Sequence, residues 1–391
     1  MAVTRVNAGE GLTLALNAGS SSFKFAAFRP GAAVLLRGRI APLGRHAPGQ
    51  ARLQAGDADE PWPHGIEADG LRRLLGWIDA HDGNARVAAV GHRVVHGGDR
   101  AGPVRLDGAV LAELAALVPL APLHQPHNLA AIQAVSAARP GLPQVACFDT
   151  SFHRTMDALA TTLPLPRELR DAGARRYGFH GLSYQYIARR LATADPALLA
   201  GRVIVAHLGS GASLCAMQGG RSVDTTMGMT ALDGLVMGTR PGRLDPGAVL
   251  WMMQARGMGA ATVEDILYHR SGLLGLSGES ADTSALLASP SGAARFAVAL
   301  FVRGIVREAG ALAAMLGGLD GVVFTAGIGE NQAAIRQQVC QGLAWLGVSI
   351  DPALNDAYRP GHGPARIGAG AWVVPTDEES QIATLTEGLL G

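Results

Sequence analysis

Residues 12 to 28, LTLALNAGSSSFKFAAF, form an apolar run, a turn of small polar residues and a second apolar run carrying one lysine. β-Forming residues on both sides of the turn at 17–22 predict a strand, a tight turn and a returning strand. Such a turn directs backbone N–H groups and hydroxyls at one small volume, and Lys24 adds a positive charge. The pattern predicts a phosphate-binding hairpin. An ordinary Gly/Ser hairpin with a solvated lysine is the alternative, since the chain has 52 glycines.

The same pattern returns in the second half of the chain. Residues 202–220, RVIVAHLGSGASLCAMQGG, again read as strand, Gly/Ser turn and strand. The 391 residues also exceed the length at which a single core keeps growing. Two copies of one supersecondary unit, about half a chain apart, therefore predict two duplicated domains that face a shared cleft.

Composition limits the partners and the location. The 33 basic and 32 acidic residues give a net charge near +1, which argues against nucleic acid and anionic membranes as partners. Apolar stretches are too short or too interrupted for a membrane span, and the N-terminus lacks a signal-like apolar core. Cys147, Cys215 and Cys340 are widely spaced, with no C-x-x-C pair. We expect neither a disulfide framework nor a zinc site, and a reducing cytosol.

The strand predicted at 87–98, VAAVGHRVVHGG, contains an arginine in apolar surroundings. His92 and His96 are four residues apart, but the β-branched context favours a strand over a metal-binding helix, and no H-E-x-x-H glutamate is present. Arg93 needs an anionic partner in such a place. That partner is either a structural carboxylate or a bound ligand.

Two further motifs place polar side chains at the ends of apolar segments. The strand in LPQVACFDTSFHR delivers Asp149 and Thr150 at its carboxyl end, where α/β proteins bind ligands. A helix N-cap is the alternative for Asp149. Phe179 and His180 enter an amphipathic helix, and for His180 a satisfied polar contact is the alternative.

The second half also contains a long glycine-rich loop at 222–247, with Arg240 in its middle. Loops of this length in compact domains are usually functional. Residues 321–339, GVVFTAGIGENQAAIRQQV, predict a strand, a glycine turn and a helix whose N-terminus suits a phosphate or ribose. Gly327-Ile328-Gly329 is only half a dinucleotide fingerprint.

The last predicted strand leads into a helix at PTDEESQIATL. This junction presents Asp377, Glu378 and Glu379. They are candidate ligands of a cation, or acids that favour a helix start.

The ordered set of motifs resembles the acetate and propionate kinase family of the actin, sugar-kinase and heat-shock-chaperone superfold. The matches are NAGSSSFK at 17–24, then GHRVVHGG, APLH, FDTSFH, RRYGFHG, HLGSGAS, SVDTTMG, GTR, SGLLGLSG and FTAGIGEN, and finally PTDEE at 375–379. The resemblance implies an α/β fold of two duplicated actin-like (ribonuclease H-like) βββαβαβα domains around a central cleft. The N-terminal domain would comprise 1–150 plus about 376–391, and the C-terminal nucleotide-binding domain 151–375.

The resemblance implies reversible transfer of the ATP γ-phosphoryl group to acetate, giving acetyl phosphate and ADP. Asn17 and Glu378 would anchor Mg²⁺, with Mn²⁺ as the alternative ion. Arg93 would pair with the acyl carboxylate or acyl phosphate, while Arg240 and His180 would stabilise the equatorial oxygens in flight. The substrate carboxylate, with a pKa of about 4, is already ionised at neutral pH, so Asp149 is interpreted as an orienter of Mg²⁺ or its waters. His124 would have a supporting role.

The remaining implied contacts concern the nucleotide and the acyl group. Val95, Leu123 and Phe179 would line the acyl-methyl pocket. Nucleotide contacts would come from Lys24, His207, Leu208, Gly209, Ser210, Gly211, Asp282, Thr283, Ser284, Gly327, Ile328, Gly329, Glu330 and Asn331. The resemblance also implies a homodimer that associates through the second domain.

The chain departs from the family pattern at several positions. Ala231 stands where the family usually has proline, so a roomier pocket keeps propionate and other short acids open. Ser210 replaces an asparagine, Pro241 and Arg243 alter the GTR-x-G-D run, and Thr283-Ser284 lose the nucleotide-contacting arginine. A phosphoryl donor other than ATP is therefore an open alternative. A sugar kinase and a non-enzymatic ATPase module are the rival functions. The first would need polar residues in the acyl pocket, and the second would lack paired arginines.

Overall fold

The computed structural model describes residues 11–19, 22–43, 50–81 and 85–391. Alternating apolar residues form the strands, which are β1 (Leu12–Ala18), β2 (Phe23–Arg29), β3 (Ala33–Ala41), β4 (Arg52–Ala55), β5 (Ala58–Pro61), β6 (Val87–Val94), β7 (Val104–Arg105), β8 (Gln144–Phe148), β9 (Arg202–Leu208), β10 (Ala212–Gln218), β11 (Arg221–Thr225), β12 (Gly321–Thr325), β13 (Ala365–Gly368) and β14 (Ala371–Val373).

Several of the helices begin with a side-chain N-cap or with a proline in the first turn. The helices are α1 (Ala68–His81), α2 (Gly108–Ala116), α3 (Gln125–Ala138), α4 (Ala158–Thr161), α5 (Arg167–Asp171), α6 (Gly181–Ala194), α7 (Pro196–Ala200), α8 (Pro246–Gln254), α9 (Ala260–His269), α10 (Gly272–Ser277), α11 (Thr283–Ala288), α12 (Gly292–Leu316), α13 (Ala326–Asn331), α14 (Ala333–Gly342), α15 (Pro352–Ala357) and α16 (Glu378–Leu390). No helix within the described ranges combines the length and apolarity needed to cross a bilayer.

The chain divides into two units. The first unit comprises residues 1–152, 181–183 and 377–391, and the second comprises 153–180 and 184–376. The described strands of the first unit form a sheet in the order β5-β4-β3-β2-β1-β6-β8-β7. Those of the second form a sheet in the order β11-β10-β9-β12-β14-β13.

Both sheets contain the same arrangement of strands. Three antiparallel strands, β3-β2-β1 in the first unit and β11-β10-β9 in the second, continue into two parallel strands. Those parallel neighbours are β6 and β8 in the first unit and β12 and β14 in the second. The shared order confirms the predicted duplication of an α/β unit.

The first unit buries both faces of its sheet. On β1, Leu12, Leu14 and Leu16 pack with residues of α1 and α3 in one apolar cluster. Ala15 points to the other face, where it packs in a cluster with Ile382 of α16. This alternation is the period-two pattern of a pleated strand.

Close approach of α16 to the sheet requires a glycine on β6. A Cβ at Gly91 would lie 2.2 Å from Thr386 Oγ1 and 2.5 Å from the Ile382 side chain. The C-terminal helix therefore docks directly against β6, the strand that carries Arg93.

Three local predictions need correction. The loop expected at 222–247 begins with ordered strand, because β11 pairs with β10. The glycine turn expected at 327–329 is instead the short helix α13. The three prolines of PLAPLHQPHN at 119–128 predict a break between two helices over that segment. The break ends before Pro126, because α3 begins at Gln125 and accepts proline in its first turn.

Candidate active site

The carboxyl ends of β6 and β8 bring an arginine and an aspartate together in the first unit. Arg93 lies opposite Cys147 in this parallel pair, and Asp149 follows the end of β8 directly. Arg93 donates from Nη2 to Asp149 Oδ2 at 2.7 Å and from Nε to the same oxygen at 3.1 Å. Its Nη1 lies 3.3 Å from Asn17 Oδ1 and 3.3 Å from Glu378 Oε2. The structural carboxylate, one of the two predicted partners of Arg93, is thus present.

Burial controls the charge state of this cluster. Asp149 is 1% exposed, and its burial raises its pKa from 3.8 to about 6, while Arg93 opposes that rise and Glu378 adds to it. Burial lowers the pKa of Arg93, but the attraction of Asp149 and Glu378 outweighs it, so the pKa of Arg93 rises above its usual value. Burial and the neighbouring Glu378 also raise the pKa of Glu379. Three carboxylates therefore act on the guanidinium of Arg93, and Lys24 acts on Glu379 as a second cation, so the carboxylates outnumber these cations by one.

The donor set around Asn17 fits a hard divalent cation. The Asn17 amide donates to Glu378 Oε2 and to Glu379 Oε1, each at 3.3 Å. Mg²⁺ prefers oxygen ligands and is commonly held by one or two carboxylates with several waters. Among the described residues, no group of three or more His, Cys, Asp and Glu side chains is arranged to hold a metal ion by itself. The oxygen atoms of Asn17, Glu378 and Glu379 are of the type that Mg²⁺ prefers, and a magnesium ion here stays a prediction.

The acids at the start of α16 divide into two roles. Asp377 is the N-cap, with a side chain that accepts from Ser380 N at 2.9 Å, and it also pairs with Arg37. Glu378 and Glu379 instead face the Asn17 amide. The helix-start interpretation therefore holds for Asp377, while Glu378 contacts Asn17. A cation at Asn17 and Glu378 stays a prediction.

Lys24, the predicted phosphate contact, lies on the second strand of the first hairpin. It is exposed on β2 and lies directly opposite Asn17 in the β1–β2 register. Lys24 lines a pocket of about 370 Å³ that also includes Arg37, Arg39 and Glu379. The turn residues 20 and 21 lie outside the described residues, and Gly19 N donates to Ser22 O across the turn at 2.9 Å.

Asn128 holds the segments that carry the predicted acyl-pocket residues of the first unit. This buried side chain on α3 accepts from Val95 N at 3.0 Å and donates to Ala18 O at 2.9 Å. Val95 is buried, Leu123 is half-buried, and His124 is the N-cap of α3. The sequence interpretation missed Asn128, although an amide on the apolar face of a predicted helix was a usable signal.

The second unit places two histidines at its own hairpin. His180 is the N-cap of α6 with a left-handed φ of 60°, and its Nδ1 lies 2.8 Å from Ser213 Oγ. Its ring stacks on that of His207, with centroids 4.1 Å apart and an interplanar angle of 17°. His207 belongs to the end of β9, and Gly209 N donates to Gly211 O at 3.0 Å to close the turn. The alternative of a satisfied polar contact for His180 is therefore correct as far as Nδ1 is concerned.

Arg240 adjoins the same turn. A Cβ at Gly211 would lie 2.9 Å from Arg240 Nη2 and 3.1 Å from His180 Nε2. Arg240 is 9% exposed and donates from Nη1 to Ala231 O at 2.7 Å. Burial lowers its pKa to about 10, so it stays a cation at neutral pH. Within the described part of the chain, no ion pair joins it to a carboxylate, so a bound anion at Arg240 stays a prediction.

Three predicted nucleotide residues have structural contacts of their own. Asp282 caps α11 by accepting from Ser284 N at 2.8 Å. Thr283 is buried, and Ser284 Oγ accepts from Gln332 Nε2 at 2.7 Å. These contacts fix the loop before α11.

An arginine donates hydrogen bonds to backbone carbonyls of the predicted nucleotide turn at 327–331. Arg336 is 1% exposed and donates to Gly329 O at 3.0 Å, to Glu330 O at 2.9 Å and to Asn355 Oδ1 at 2.7 Å. The Glu330 carboxylate accepts from Thr376 N at 3.1 Å, and Asn331 donates to Gly327 O at 2.7 Å. Sequence reasoning missed Arg336, whose only signal was a cation inside the apolar pattern of α14.

Other predicted residues lie close to these clusters within the second unit. Phe179 is 1% exposed and precedes His180, and its carbonyl accepts from His153 Nε2 at 2.9 Å. Leu208 is buried and Ser210 is exposed in the hairpin. The first unit thus groups Asn17, Arg93, Asp149 and Glu378, and the second groups His180, His207, Gly211 and Arg240.

Comparisons with known proteins agree with one another. The model of the Acetokinase family matches residues 12–384. A protein named acetate kinase from Rhodopseudomonas palustris is 51% identical over 385 residues, which cover 95% of this chain and 96% of that protein. One of the same name from Rhizobium meliloti is 46% identical over 390 residues, covering 96% of this chain and 98% of that protein.

Solved structures give the same result. The crystal structure of acetate kinase from Porphyromonas gingivalis superimposes with a TM-score of 0.85 at 34% identity and covers 97% of this chain and 100% of that one. A propionate kinase from Francisella tularensis superimposes with a TM-score of 0.88 at 34% identity, covering 97% of this chain and 99% of that one. The predicted fold class is confirmed.

Proposed function

This chain belongs to the Acetokinase family, and on that premise we propose that it reversibly transfers the γ-phosphoryl group of ATP to acetate, giving acetyl phosphate and ADP. The observation that carries the proposal is Arg240, a buried guanidinium beside His180 and the Gly211 turn. A cation held in this way suits charge that develops on a transferring phosphoryl group. A non-enzymatic nucleotide-driven module has no need of it.

Arg93 is the proposed partner of the acyl carboxylate. Its hydrogen bonds from Nε and Nη2 to Asp149 fix the plane of the guanidinium, and Nη1 remains on the side of Asn17 and Glu378. A planar guanidinium binds a carboxylate or acyl phosphate through parallel hydrogen bonds. Asp149 has the proposed role of orienting Mg²⁺ or its waters, in addition to holding Arg93. Proton abstraction is not required, because acetate is ionised at neutral pH.

Asn17 and Glu378 are the proposed anchors of Mg²⁺, with Mn²⁺ as the alternative ion. The excess of carboxylates over cations in this cluster supports the assignment. When bound, the ion neutralises charge on the ATP phosphate oxygens.

Arg240 and His180 have the proposed role of stabilising the equatorial oxygens of the phosphoryl group. His180 Nδ1 is engaged with Ser213, which leaves Nε2 on the side of Gly211. Lys24 and the hairpin at 207–211 are the proposed phosphate contacts. The segments at 282–284 and 327–331 are the proposed nucleoside contacts. His124 has the proposed supporting role.

Propionate is the second candidate acceptor. Val95, Leu123 and Phe179 are the proposed apolar contacts of the acyl group, which argue against a sugar. Ala231 replaces the proline of the family pattern and is 7% exposed. The loss of ring atoms at one wall favours space for one more methylene, a difference worth about 1 to 3 kcal/mol.

We propose a homodimer that associates through the second unit. Leu250, Trp251 and Met253 on α8 are 53%, 57% and 41% exposed, and such a set of large apolar side chains is typical of an interface. The unpaired thiols Cys147, Cys215 and Cys340 support the proposal of a reducing, cytoplasmic location. The proposed domains are 1–150 with about 376–391, and 151–375.

Trapping of the acyl phosphate tests the function. The full chain is incubated with ATP, Mg²⁺ and acetate, propionate or butyrate, and hydroxylamine converts any acyl phosphate to a hydroxamate. We expect hydroxamate from acetate and propionate and much less from butyrate. Arg240→Ala should lower the yield by at least a hundredfold, whereas Arg295→Ala, an exposed arginine on α12, should leave it unchanged. Absence of hydroxamate with all three acids overturns the proposal.

A further inference from the structure

An arginine-rich pocket, separate from the Arg240 cluster, lies in the second unit. It is a pocket of about 450 Å³ with guanidinium groups from the loop after Arg240, from the end of α9 and from α12. The charged lining residues are Arg243, Arg270, Arg303 and Arg307, and the apolar ones are Val236, Leu244, Leu276 and Leu300. No carboxylate is among the described residues that line it. The proposed reaction uses none of these arginines.

The nearby acids do not balance the four guanidiniums. Glu308 is shared, with its Oε1 2.9 Å from Arg307 Nη2 and 3.4 Å from Arg243 Nη1. Asp265 pairs with Arg270 at 2.8 Å. Arg303 has neither an ion pair nor a hydrogen bond within the described part of the chain. Two acids thus pair with three of the four guanidiniums, and that of Arg303 stays without an acid partner among the described residues.

The pocket is open beside Arg303 and Arg307. Arg303 and Arg307 are four residues apart on α12, and like charges at this spacing repel each other. Gly304 lies between them in the chain, and a Cβ there would meet nothing within 4 Å, so the wall is not filled. Arg243 contributes a further cation from the loop that follows Arg240. This chain therefore concentrates positive charge at a hollow surface.

We propose that this pocket binds a small organic polyanion, a carbon skeleton with two or more carboxylate or phosphate groups, and that its occupancy acts on Arg240. Guanidinium groups bind carboxylate and phosphate through bidentate hydrogen bonds, and several around one hollow favour more than one anionic group. The volume suits a small metabolite. The leucine side chains of the lining contact the carbon skeleton, which distinguishes this ligand from an inorganic anion.

The wall of the pocket is bonded to the segment that ends in Arg240. Ser271 N donates to Thr239 O at 3.0 Å, and Leu273 N donates to Met237 O at 2.9 Å. Met237 N donates to Arg240 O at 3.0 Å. A ligand that orders Arg270 and the adjoining Ser271 therefore also orders the backbone that positions Arg240. This second part of the proposal rests on the proposed function.

Calorimetry on the full chain tests the binding without reference to activity. The probes are tricarballylate and 2,3-bisphosphoglycerate, which separate the carboxylate and phosphate sources, with pyrophosphate as an anion without a carbon skeleton and acetate as a monoanion. We expect at least one of the two organic polyanions to bind more tightly than pyrophosphate and acetate. We also expect its affinity to fall when salt is raised from 50 to 200 mM. Absence of binding by both organic polyanions at 50 mM salt overturns the proposal.

Variants locate the bound anion. Arg303→Gln and Arg307→Gln should each weaken binding at least tenfold, while Arg295→Gln on the same helix and Arg240→Gln should not. Unchanged affinity in Arg303→Gln, or loss in Arg240→Gln alone, places the anion elsewhere and overturns the site.

Rates test the coupling. Saturating polyanion should change the phosphotransfer rate of the wild type at least twofold and leave that of Arg303→Gln unchanged. A wild-type rate that stays constant at saturation overturns the coupling to Arg240. Calorimetry still reports the binding if the proposed reaction itself fails.

Discussion

The guanidinium of Arg93 meets the carboxylate of Asp149 through Nε and Nη2, with the shortest contact at 2.7 Å. Arg93 is the residue before the last one of β6, and Asp149 follows the neighbouring parallel strand β8. Their side chains are only 19% and 1% exposed. Breaking one partner of a buried pair leaves the other uncompensated, which costs about 3 to 5 kcal/mol. Both the stability of the chain and its catalytic rate should therefore depend on this pair. Single and double variants separate the two effects.

Arg93→Ala should lower kcat/KM by at least about a thousandfold, because the acyl group loses its guanidinium partner. It should also destabilise the chain, because Asp149 is left buried alone. The double variant Arg93→Ala/Asp149→Asn should recover most of the stability and none of the rate. Steady-state kinetics and urea unfolding measure the two effects. A rate within tenfold of the wild type for Arg93→Ala contradicts its role.

Gly211→Ala should reduce the rate by about ten- to a hundredfold while the chain stays folded. The added Cβ would lie 2.9 Å from Arg240 Nη2 and 3.1 Å from His180 Nε2, so both side chains must shift. A small displacement of positioned groups is costly in rate. Gly76→Ala on α1 is the matched control, since its Cβ would meet nothing within 4 Å. Equal rates for the two variants argue against a shared role of Arg240 and His180.

Ala231→Pro should shift acceptor preference toward acetate. The ring restores bulk at the wall, and the loss of space for one methylene corresponds to about a tenfold fall in the propionate-to-acetate ratio of kcat/KM. The Ala231 carbonyl that accepts from Arg240 is retained in proline. Kinetics with both acids measure the ratio. An unchanged ratio with normal acetate turnover removes Ala231 from the acyl pocket.

His92 should make the chain less stable in mild acid. Burial lowers its pKa from 6.5 to about 4, only partly offset by the 2.7 Å contact with Gln144 Oε1. Between these values the unfolded chain binds the proton more readily, so the stabilising contribution is complete above pH 6.5 and is lost as pH falls toward 4.

His92→Gln keeps an N–H donor but does not titrate. From pH 7 to pH 5, the wild type should therefore lose about 2 kcal/mol relative to this variant. Urea midpoints at the two pH values measure the difference. Parallel pH profiles contradict the burial of a neutral imidazole.

Residue pattern predicted the strands because alternation and β-branched residues report which face of a sheet is buried. It also predicted that Arg93 needs an anion. It did not identify Asp149 and Glu378 as the partners, because these residues are distant in sequence and meet only through strand order and the docking of α16. At the helix start, local sequence could not separate the capping role of Asp377 from the contacts of Glu378.

The missed residues show the same limit. Asn128 and Arg336 are polar side chains at buried positions of helices, where periodicity indicates only a face. Their roles depend on backbone groups of Val95, Ala18, Gly329 and Glu330, which tertiary structure brings to them. The short helix α13 was missed because two glycines within five residues usually indicate a turn.

Formation of ATP from ADP and acyl phosphates tests the central proposal most directly. Acetyl, propionyl and butyryl phosphate are supplied at equal enzyme concentration with Mg²⁺, and ATP is the measured product. We expect rapid ATP formation from acetyl phosphate, a comparable rate from propionyl phosphate and a clearly lower one from butyryl phosphate. No ATP from any of the three, with a chain that is folded by circular dichroism, contradicts the proposed function.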